Sequence, residues 1–290
     1  MKAYTLSGSL GGEAILIVKG QAAALVDSGF DFCGDQLAAK IKDTLGDIPL
    51  SEIILTHSHY DHLGGCVAIQ QVYPDAKIIA NPLVRQIIAK ESARATMRKL
   101  NHEAAAAAGK PAIDRIDQLK IDYDLAPGET RQSVLGPITA ISTPGHTRCS
   151  TSYYLPEDEM LILSETTGVI VDQHYAPCFV VSYAATVESF DRCAKFHAKR
   201  IIVPHYGLIE GQRAEEFLEK SRAASIGAAE FVLEHHAAGQ SEEEILKEYA
   251  DKYYYGLCDR AQPELAFFIN TSTMINRVIK EAEQTATGKN

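Results

Sequence analysis

The stretch Thr56-His57-Ser58-His59-Tyr60-Asp61-His62 places four potential metal ligands within six residues. It follows a strand-like apolar run at residues 51–55, so its side chains leave the end of a strand in a loop. Imidazole and carboxylate groups suit Zn²⁺, Fe or Mn²⁺, and this run holds more of them than one ion needs with a water position left open. Zinc-finger spacing is absent. The motif therefore predicts two adjacent metal ions in a catalytic site rather than a closed structural one.

Three further stretches also place a polar residue at the end of a strand-like run. They are Val26-Asp27-Ser28-Gly29, Ser142-Thr143-Pro144-Gly145-His146-Thr147 and Val203-Pro204-His205-Tyr206-Gly207. Together and in this order, the four stretches resemble the metallo-β-lactamase-fold superfamily of metallohydrolases over most of the first 210 residues. The resemblance implies an α+β four-layer αββα sandwich, followed here by a C-terminal α-helical extension.

The resemblance also implies a role for each matching residue. His57, His59 and His146 would hold the first metal, and Asp61, His62 and His205 would hold the second. Asp27 would orient the histidine loop, because a carboxylate behind a metal ligand fixes its ring and tunes its basicity.

One position departs from the pattern of the family. The family usually has an aspartate that bridges both ions after the Gly-His turn, and Glu165 stands at that place here. A glutamate is one methylene longer, so it could bridge from a shifted strand end, bind one ion only, or leave the second site weak. Asp172 is the next carboxylate and ranks below Glu165.

These residues predict a metallohydrolase that uses a metal-bound hydroxide. Asp61 and Glu165 are its expected catalytic carboxylates, and two divalent ions are its cofactor, with Zn²⁺ favoured over Fe or Mn²⁺. An ester, thioester, lactone or phosphodiester is the expected small-molecule substrate, so a thioesterase or lactonase fits. Two alternatives stay open: an iron-dependent, dioxygenase-like oxidoreductase of the same fold, and a regulatory metal-binding protein with weak hydrolase activity.

The charge balance excludes one class of partner. Lys and Arg number 28 against 38 Asp and Glu, which gives a net charge of −10. Such a chain repels polyanions and lacks the counterion-release term that drives nucleic-acid binding. We expect no nucleic acid and no membrane partner, and a cytoplasmic location with reduced cysteines.

The composition changes twice along the chain. We expect a catalytic core over residues 1–210, with a helical insertion at about 82–117, and a helical extension over 211–290. This architecture resembles that of the quinolone-signal response protein type, in which appended helices cover the cleft. We expect the insertion and the extension to form the substrate pocket together. The aromatic residues of the extension could instead pack a homodimer or simply dock onto the core.

A protein general acid is harder to assign from the sequence. Tyr206 and His174 are candidates by position only, and an aromatic stretch around His174 is expected to overhang the metals as a substrate wall or to pack in the core. We expect the other histidines outside the four stretches to be surface or packing residues.

Overall fold

The computed structural model describes residues 1–287. Its first sheet has six strands, antiparallel at one edge and parallel from the third strand onwards. In spatial order they are β1 (Lys2–Ser7), β2 (Glu13–Lys19), β3 (Ala22–Val26), β4 (Leu50–Ile54), β5 (Lys77–Ala80) and β6 (Tyr123–Asp124).

The second sheet also has six strands, and β10 pairs in parallel with β13 while the other pairs are antiparallel. In spatial order they are β14 (Gly207–Glu210), β13 (Arg200–Val203), β10 (Met160–Ile162), β9 (Thr151–Leu155), β8 (Gly136–Ser142) and β7 (Thr130–Ser133). A separate hairpin consists of β11 (Val169–Val171) and β12 (His174–Ala176).

Helices cover the outer faces and form the C-terminal part of the chain. They are α1 (Gly34–Leu45), α2 (Tyr60–Leu63), α3 (Cys66–Val72), α4 (Pro82–Ile88), α5 (Glu91–Ala107), α6 (Tyr183–Ala194), α7 (Gln212–Ala237), α8 (Glu242–Tyr253) and α9 (Glu264–Ala286). Within residues 1–287, no helix combines the length and the apolar character needed to cross a membrane.

The packing of these elements makes four layers. Apolar side chains from the two sheets meet in one buried cluster, where Ile15 and Ile54 of the first sheet join Tyr153 and Ile202 of the second. The opposite faces of the sheets pack against helices in separate clusters. Because both faces of the central strands are buried, their sequences are continuous apolar runs rather than alternating ones. The αββα sandwich expected from the sequence is confirmed.

The C-terminal extension is also confirmed. Residues 207–210 form β14, which pairs with β13. The extension then begins with α7 and has its own apolar cluster, centred on aromatic residues of α8 and α9. The division of the chain into two units at residue 210 stays a prediction.

The insertion forms α4 and α5 and is held to the core by charge. Arg115 places Nη1 3.0 Å from Asp31 Oδ1 and Nη2 2.6 Å from Asp35 Oδ2. Asp31 is buried, so its ion pair with Arg115 offsets the desolvation of that carboxylate.

Candidate metal centre

The motif of the first stretch occupies the loop after β4 and the short helix α2. His57 and His59 precede this helix, and Asp61 and His62 lie within it. His146 follows β8 and His205 follows β13, so all five histidines come from the same end of the two sheets.

The structure brings these residues together in two groups of potential ligands. In each group, one donor atom per residue lies within 4.8 Å of the others. The first group consists of His57, His59, His146 and Glu165, and the second group consists of Asp61, His62 and His205.

Glu165 lies between the two groups and turns one carboxylate oxygen towards each. Its Oε2 atom is 2.6 Å from His146 Nε2 and 3.7 Å from His57 Nε2. Its Oε1 atom is 2.7 Å from His205 Nε2 and 3.8 Å from His62 Nε2. The residue begins a short 3₁₀ turn at Glu165–Thr167, three residues after the last residue of β10.

The residues of the two groups fit a divalent cation. The Nε2 atoms of His57 and His62 are fully buried and have no hydrogen-bond partner among the residues that the structure describes. An unpaired buried nitrogen is costly unless it has a ligand. Burial also lowers the pKa of His57 well below its usual value and that of His59 to about 3. Both rings are therefore neutral, the form in which imidazole binds metals.

In the first group, His57 and His146 each have an uncharged hydrogen-bond partner behind the ring, whereas His59 lies beside the ring of His146. The Thr56 hydroxyl donates to Asp27 Oδ2 at 2.8 Å, so its oxygen can accept the Nδ1 proton of His57 at 3.0 Å. His146 Nδ1 donates to the Cys178 carbonyl oxygen at 2.6 Å. These contacts leave the Nε2 lone pairs of His57 and His146 directed away from their partners.

The histidines of the second group have carboxylates behind them. His62 Nδ1 donates to Asp27 Oδ2 at 2.9 Å, and His205 Nδ1 donates to Glu13 Oε2 at 3.0 Å. Burial lowers the pKa of His62, but Asp27 and Asp61 outweigh it and raise that pKa well above its usual value. Burial is likewise outweighed at His205, where hydrogen bonds to Glu13 and Glu165 raise the pKa to about 10.

The pKa values of the two carboxylates in the centre shift in opposite directions. Burial raises the pKa of Glu165, but the charges and hydrogen bonds of His146 and His205 hold it well below its usual range. The pKa of Asp61 is raised, chiefly by burial and against the opposing charge of His62. Glu165 is therefore anionic whenever the surrounding histidines carry protons.

Asp27 has the position that the resemblance implied. It adopts φ +58°, a left-handed conformation that aspartate tolerates better than most residues. Its two oxygens accept from the backbone and the hydroxyl of Thr56, both at 2.8 Å, as well as from His62. The side chain thus connects the start of the motif loop to its last histidine.

Sequence reasoning missed Glu13. It lies 192 residues before His205 and outside every motif, at the first position of β2. Its other oxygen accepts from the backbone N–H of Gly11 at 3.2 Å and from the Ser7 hydroxyl at 3.3 Å. A carboxylate that opens a buried apolar strand was the one available signal.

The remaining candidates lie outside both ligand groups. His174 is exposed on β12. The Tyr206 hydroxyl lies 2.5 Å from Arg213 Nη1, whose guanidinium also covers the tyrosine ring. Asp172 is in the turn of the small hairpin, beside Arg260. None of the three is among the residues whose donor atoms cluster at the centre.

The joint pocket expected from the insertion and the extension stays a prediction. A cavity of ≈ 150 Å³ lies between residues 174–180 and the helices α8 and α9, and no residue of 82–117 lines it. The insertion instead lines a space of ≈ 10 Å³ beside Tyr60 and Asp31. Helix α5 of the insertion packs on α2, and helix α9 of the extension packs on α6 and α7.

Comparison with known proteins agrees with this architecture. The family profile described as "Metallo-beta-lactamase superfamily" matches residues 8–205. The metallo-beta-lactamase fold-containing protein ST1585 of Sulfurisphaera tokodaii is 26% identical over 211 residues, which is 65% of this chain and 76% of that protein. A hydroxyacylglutathione hydrolase of Bartonella henselae is 29% identical over 117 residues, but that match covers 40% of this chain and only 34% of the hydrolase.

Among solved structures, the metallo-beta-lactamase family protein TTHA1429 of Thermus thermophilus is similar over 97% of this chain and 94% of its own. The TM-score is 0.63 at 17% sequence identity. At this identity the likeness shows the fold alone, and its coverage extends into the C-terminal helices.

Proposed function

Because the chain belongs to the metallo-beta-lactamase superfamily, we propose that it is a metallohydrolase with a dinuclear site. The observation that carries the proposal is the position of Glu165 between two complete groups of donor atoms, with one oxygen near each. The relative named as a hydroxyacylglutathione hydrolase supports hydrolysis as the type of reaction. Zinc is the metal that three imidazoles and a carboxylate favour.

The donor sets divide between the two ions as the groups do. His57, His59 and His146 would hold one ion, Asp61, His62 and His205 would hold the other, and Glu165 would serve both. Bound divalent cations lower the pKa of a water molecule towards neutrality and polarise a carbonyl or phosphoryl oxygen.

The protein's own residues supply position and exclusion of water. His57, His62 and His146 are at most 1% exposed, so the inner side of the centre is closed. The side chains of Asp61 and His205 are 20% and 18% exposed and mark the side from which substrate enters. A substrate that approaches from this side would place its scissile bond beside the carboxylate of Asp61. The Oδ2 atom of this carboxylate lies 3.6 Å from His62 Nε2.

The substrate is an ester, thioester, lactone or phosphodiester of a small molecule. All four place a carbonyl or phosphoryl oxygen where cations can polarise it. The net charge of −10 argues against long polyanionic substrates.

The test combines metal analysis with a substrate panel. The full chain, purified without added metal, is expected to carry about two equivalents of zinc or manganese and to hydrolyse at least one of the four classes. Glu165→Gln should lose both metal and turnover while keeping its fold by circular dichroism. One equivalent of iron with oxygen consumption, or a metal-loaded protein that hydrolyses none of the four classes, would contradict the proposal.

A further inference from the structure

The turn that carries His146 is held by the segment that precedes α6. The Cys178 carbonyl oxygen accepts from His146 Nδ1 at 2.6 Å. The N–H groups of residues 180–182 all donate to the Gly145 carbonyl oxygen, at 3.1, 2.8 and 3.2 Å. Hydrogen bonds with one short segment therefore fix both the backbone of this turn and the ring of its histidine.

Helix α6 also contacts the same turn directly. The Ser189 hydroxyl donates to the Pro144 carbonyl oxygen at 2.8 Å. Gly145 adopts φ +145°, and a Cβ atom at this position would overlap Thr186 Oγ1, so no larger residue fits between the turn and the helix. A shift of α6 would therefore displace the turn and move His146.

The first turn of α6 is held by a residue of the last helix. Glu281 Oε1 accepts from the Tyr183 N–H at 3.2 Å, and Glu281 Oε2 accepts from the Ala184 N–H at 3.0 Å. The first N–H groups of a helix have no partner within it, and the helix dipole favours a carboxylate at this end. The Ser182 hydroxyl accepts from the next N–H group, that of Ala185, at 3.1 Å. The carboxylate thus supplies two of the partners that α6 cannot supply itself.

The position of Glu281 depends in turn on the core of the extension. Val278 and Ile279 of α9 are buried in the apolar cluster that α7, α8 and α9 share. Val278 precedes Glu281 by three residues, so the two side chains are neighbours on the surface of the helix. The packing of the extension therefore sets where the carboxylate meets α6.

We propose that Glu281 is a positioning residue of the metal centre: it fixes α6, and α6 fixes the turn that directs His146 Nε2 to the first ion. Because His146 acts here as a metal ligand, this role rests on the proposed hydrolase function. The histidines of the second group are held by Asp27 and Glu13 instead. The C-terminal extension thus sets the affinity of the first metal site and not that of the second.

The first experiment measures zinc affinity with each ion isolated. His205→Ala leaves the first group intact and His57→Ala leaves the second, so chelator competition with Zn²⁺ reports one site at a time. Glu281→Ala should weaken zinc binding about fivefold in the His205→Ala chain, the effect of one lost hydrogen bond. It should leave zinc binding unchanged in the His57→Ala chain. Equal weakening in both chains, or none in either, would overturn the proposal.

Two further variants separate the hydrogen bonds from a general loss of structure. Glu281→Gln keeps one oxygen acceptor for an N–H group of α6, so its zinc affinity should lie between those of Glu281→Ala and the parent. Glu283→Ala, at an exposed position of the same helix, removes a carboxylate and should bind zinc as the parent does. A loss in Glu283→Ala as large as that in Glu281→Ala would assign the effect to α9 as a whole and contradict the role of Glu281.

The last measurement needs no metal. A buried, hydrogen-bonded N–H exchanges slowly with water, and His146 is 1% exposed. Its Nδ1 proton should therefore give a resolved NMR signal in the full chain, identified by its loss in His146→Gln. This proton should exchange with water faster in Glu281→Ala and at the parent rate in Glu283→Ala.

The same measurement separates the two proposals. An unchanged exchange rate in Glu281→Ala would show that α9 does not hold His146. Faster exchange in a chain that binds no Zn²⁺ would contradict the hydrolase function and leave the positioning of His146 by Glu281 supported.

Discussion

The two ligand groups of the metal centre differ in what lies behind their histidines. In the first group, His57 and His146 contact a hydroxyl and a backbone carbonyl. In the second, His62 and His205 donate to the carboxylates of Asp27 and Glu13. The group with fewer histidines thus has more negative charge around it, since Asp61 also belongs to it.

One fold can therefore form two unequal cation sites from similar residues. A carboxylate behind an imidazole raises its basicity and fixes its orientation more strongly than an uncharged partner does. We therefore expect cation binding by the second group to depend on the carboxylates of Asp27 and Glu13 that lie behind its histidines. Cation binding by the first group should depend on its own ligands.

The largest effect is expected at the residue that the groups share. Glu165→Ala should remove both ions and lower kcat/KM at least about a thousandfold, because several kcal/mol of stabilisation are lost. Metal analysis and kinetics check this. Glu165→Asp shortens the side chain by one methylene and should retain one ion more readily than two. Full metal content in Glu165→Ala would show that the carboxylate is not a shared ligand.

Substitution of a single ligand in either group should remove the ion of that group. His57→Ala and His205→Ala are each expected to lose about one metal equivalent and to lower kcat/KM about a hundredfold. His102→Ala, at an exposed position on α5, is the control and should keep both ions. Loss of both ions from either ligand variant would mean that the two groups do not bind independently.

Substitution of the carboxylates behind the histidines should distinguish the two groups most sharply. Glu13→Gln, behind His205, is expected to lower the affinity for one ion about tenfold to a hundredfold. Asp27→Asn should lower the affinity for both ions, because Asp27 contacts His62 and also the Thr56 hydroxyl behind His57. Asparagine tolerates the left-handed conformation of position 27, so the backbone is kept. Competition with a chelator measures the affinities.

Thr56, the uncharged partner of His57, provides the contrast with these carboxylates. Thr56→Val should weaken the first ion less than about tenfold, and Thr56→Ser should restore it because the hydroxyl returns. Glu243→Gln, at an exposed position of α8, is a neutral control for the loss of one carboxylate. Equal losses in Thr56→Val and Glu13→Gln would remove the difference between the groups.

The smallest effect is expected where the extension supports the shared carboxylate. The Ser221 hydroxyl of α7 donates to the Thr167 carbonyl oxygen at 2.6 Å, at the end of the turn that Glu165 begins. Ser221→Ala should lower the free energy of unfolding by about 1 kcal/mol. Ser225→Ala removes only a bond within α7 and should cost less. Urea unfolding measures both, and an unchanged Ser221→Ala would separate α7 from the centre energetically.

Much of the fold and most of the centre follow from local patterns. The sequence places histidines and carboxylates after strand-like runs, and the resemblance of these stretches to the superfamily implies that they meet at one centre. Glu165 was expected at its place, with its role left open among three alternatives. Its contacts with both groups arise because its short turn follows β10, which lies beside β13 and one strand away from β8, so that its two oxygens reach His146 and His205.

Partners distant in sequence could not be inferred in this way. The pairing of Glu13 with His205 depends on how β2 and the residues after β13 approach each other. The Cys178 carbonyl has no residue signature at all, since every residue type carries one.

From the sequence, the resemblance of the four stretches to a known superfamily predicted the fold class, the candidate ligands and their order, because residue types and their spacing are properties of the chain alone. The carboxylate of Glu13 behind His205, the Cys178 carbonyl behind His146 and the position of the cavity beside α8 and α9 emerge from the three-dimensional packing. These features arise from the packing of segments far apart in the chain, and no local pattern records the distance between them.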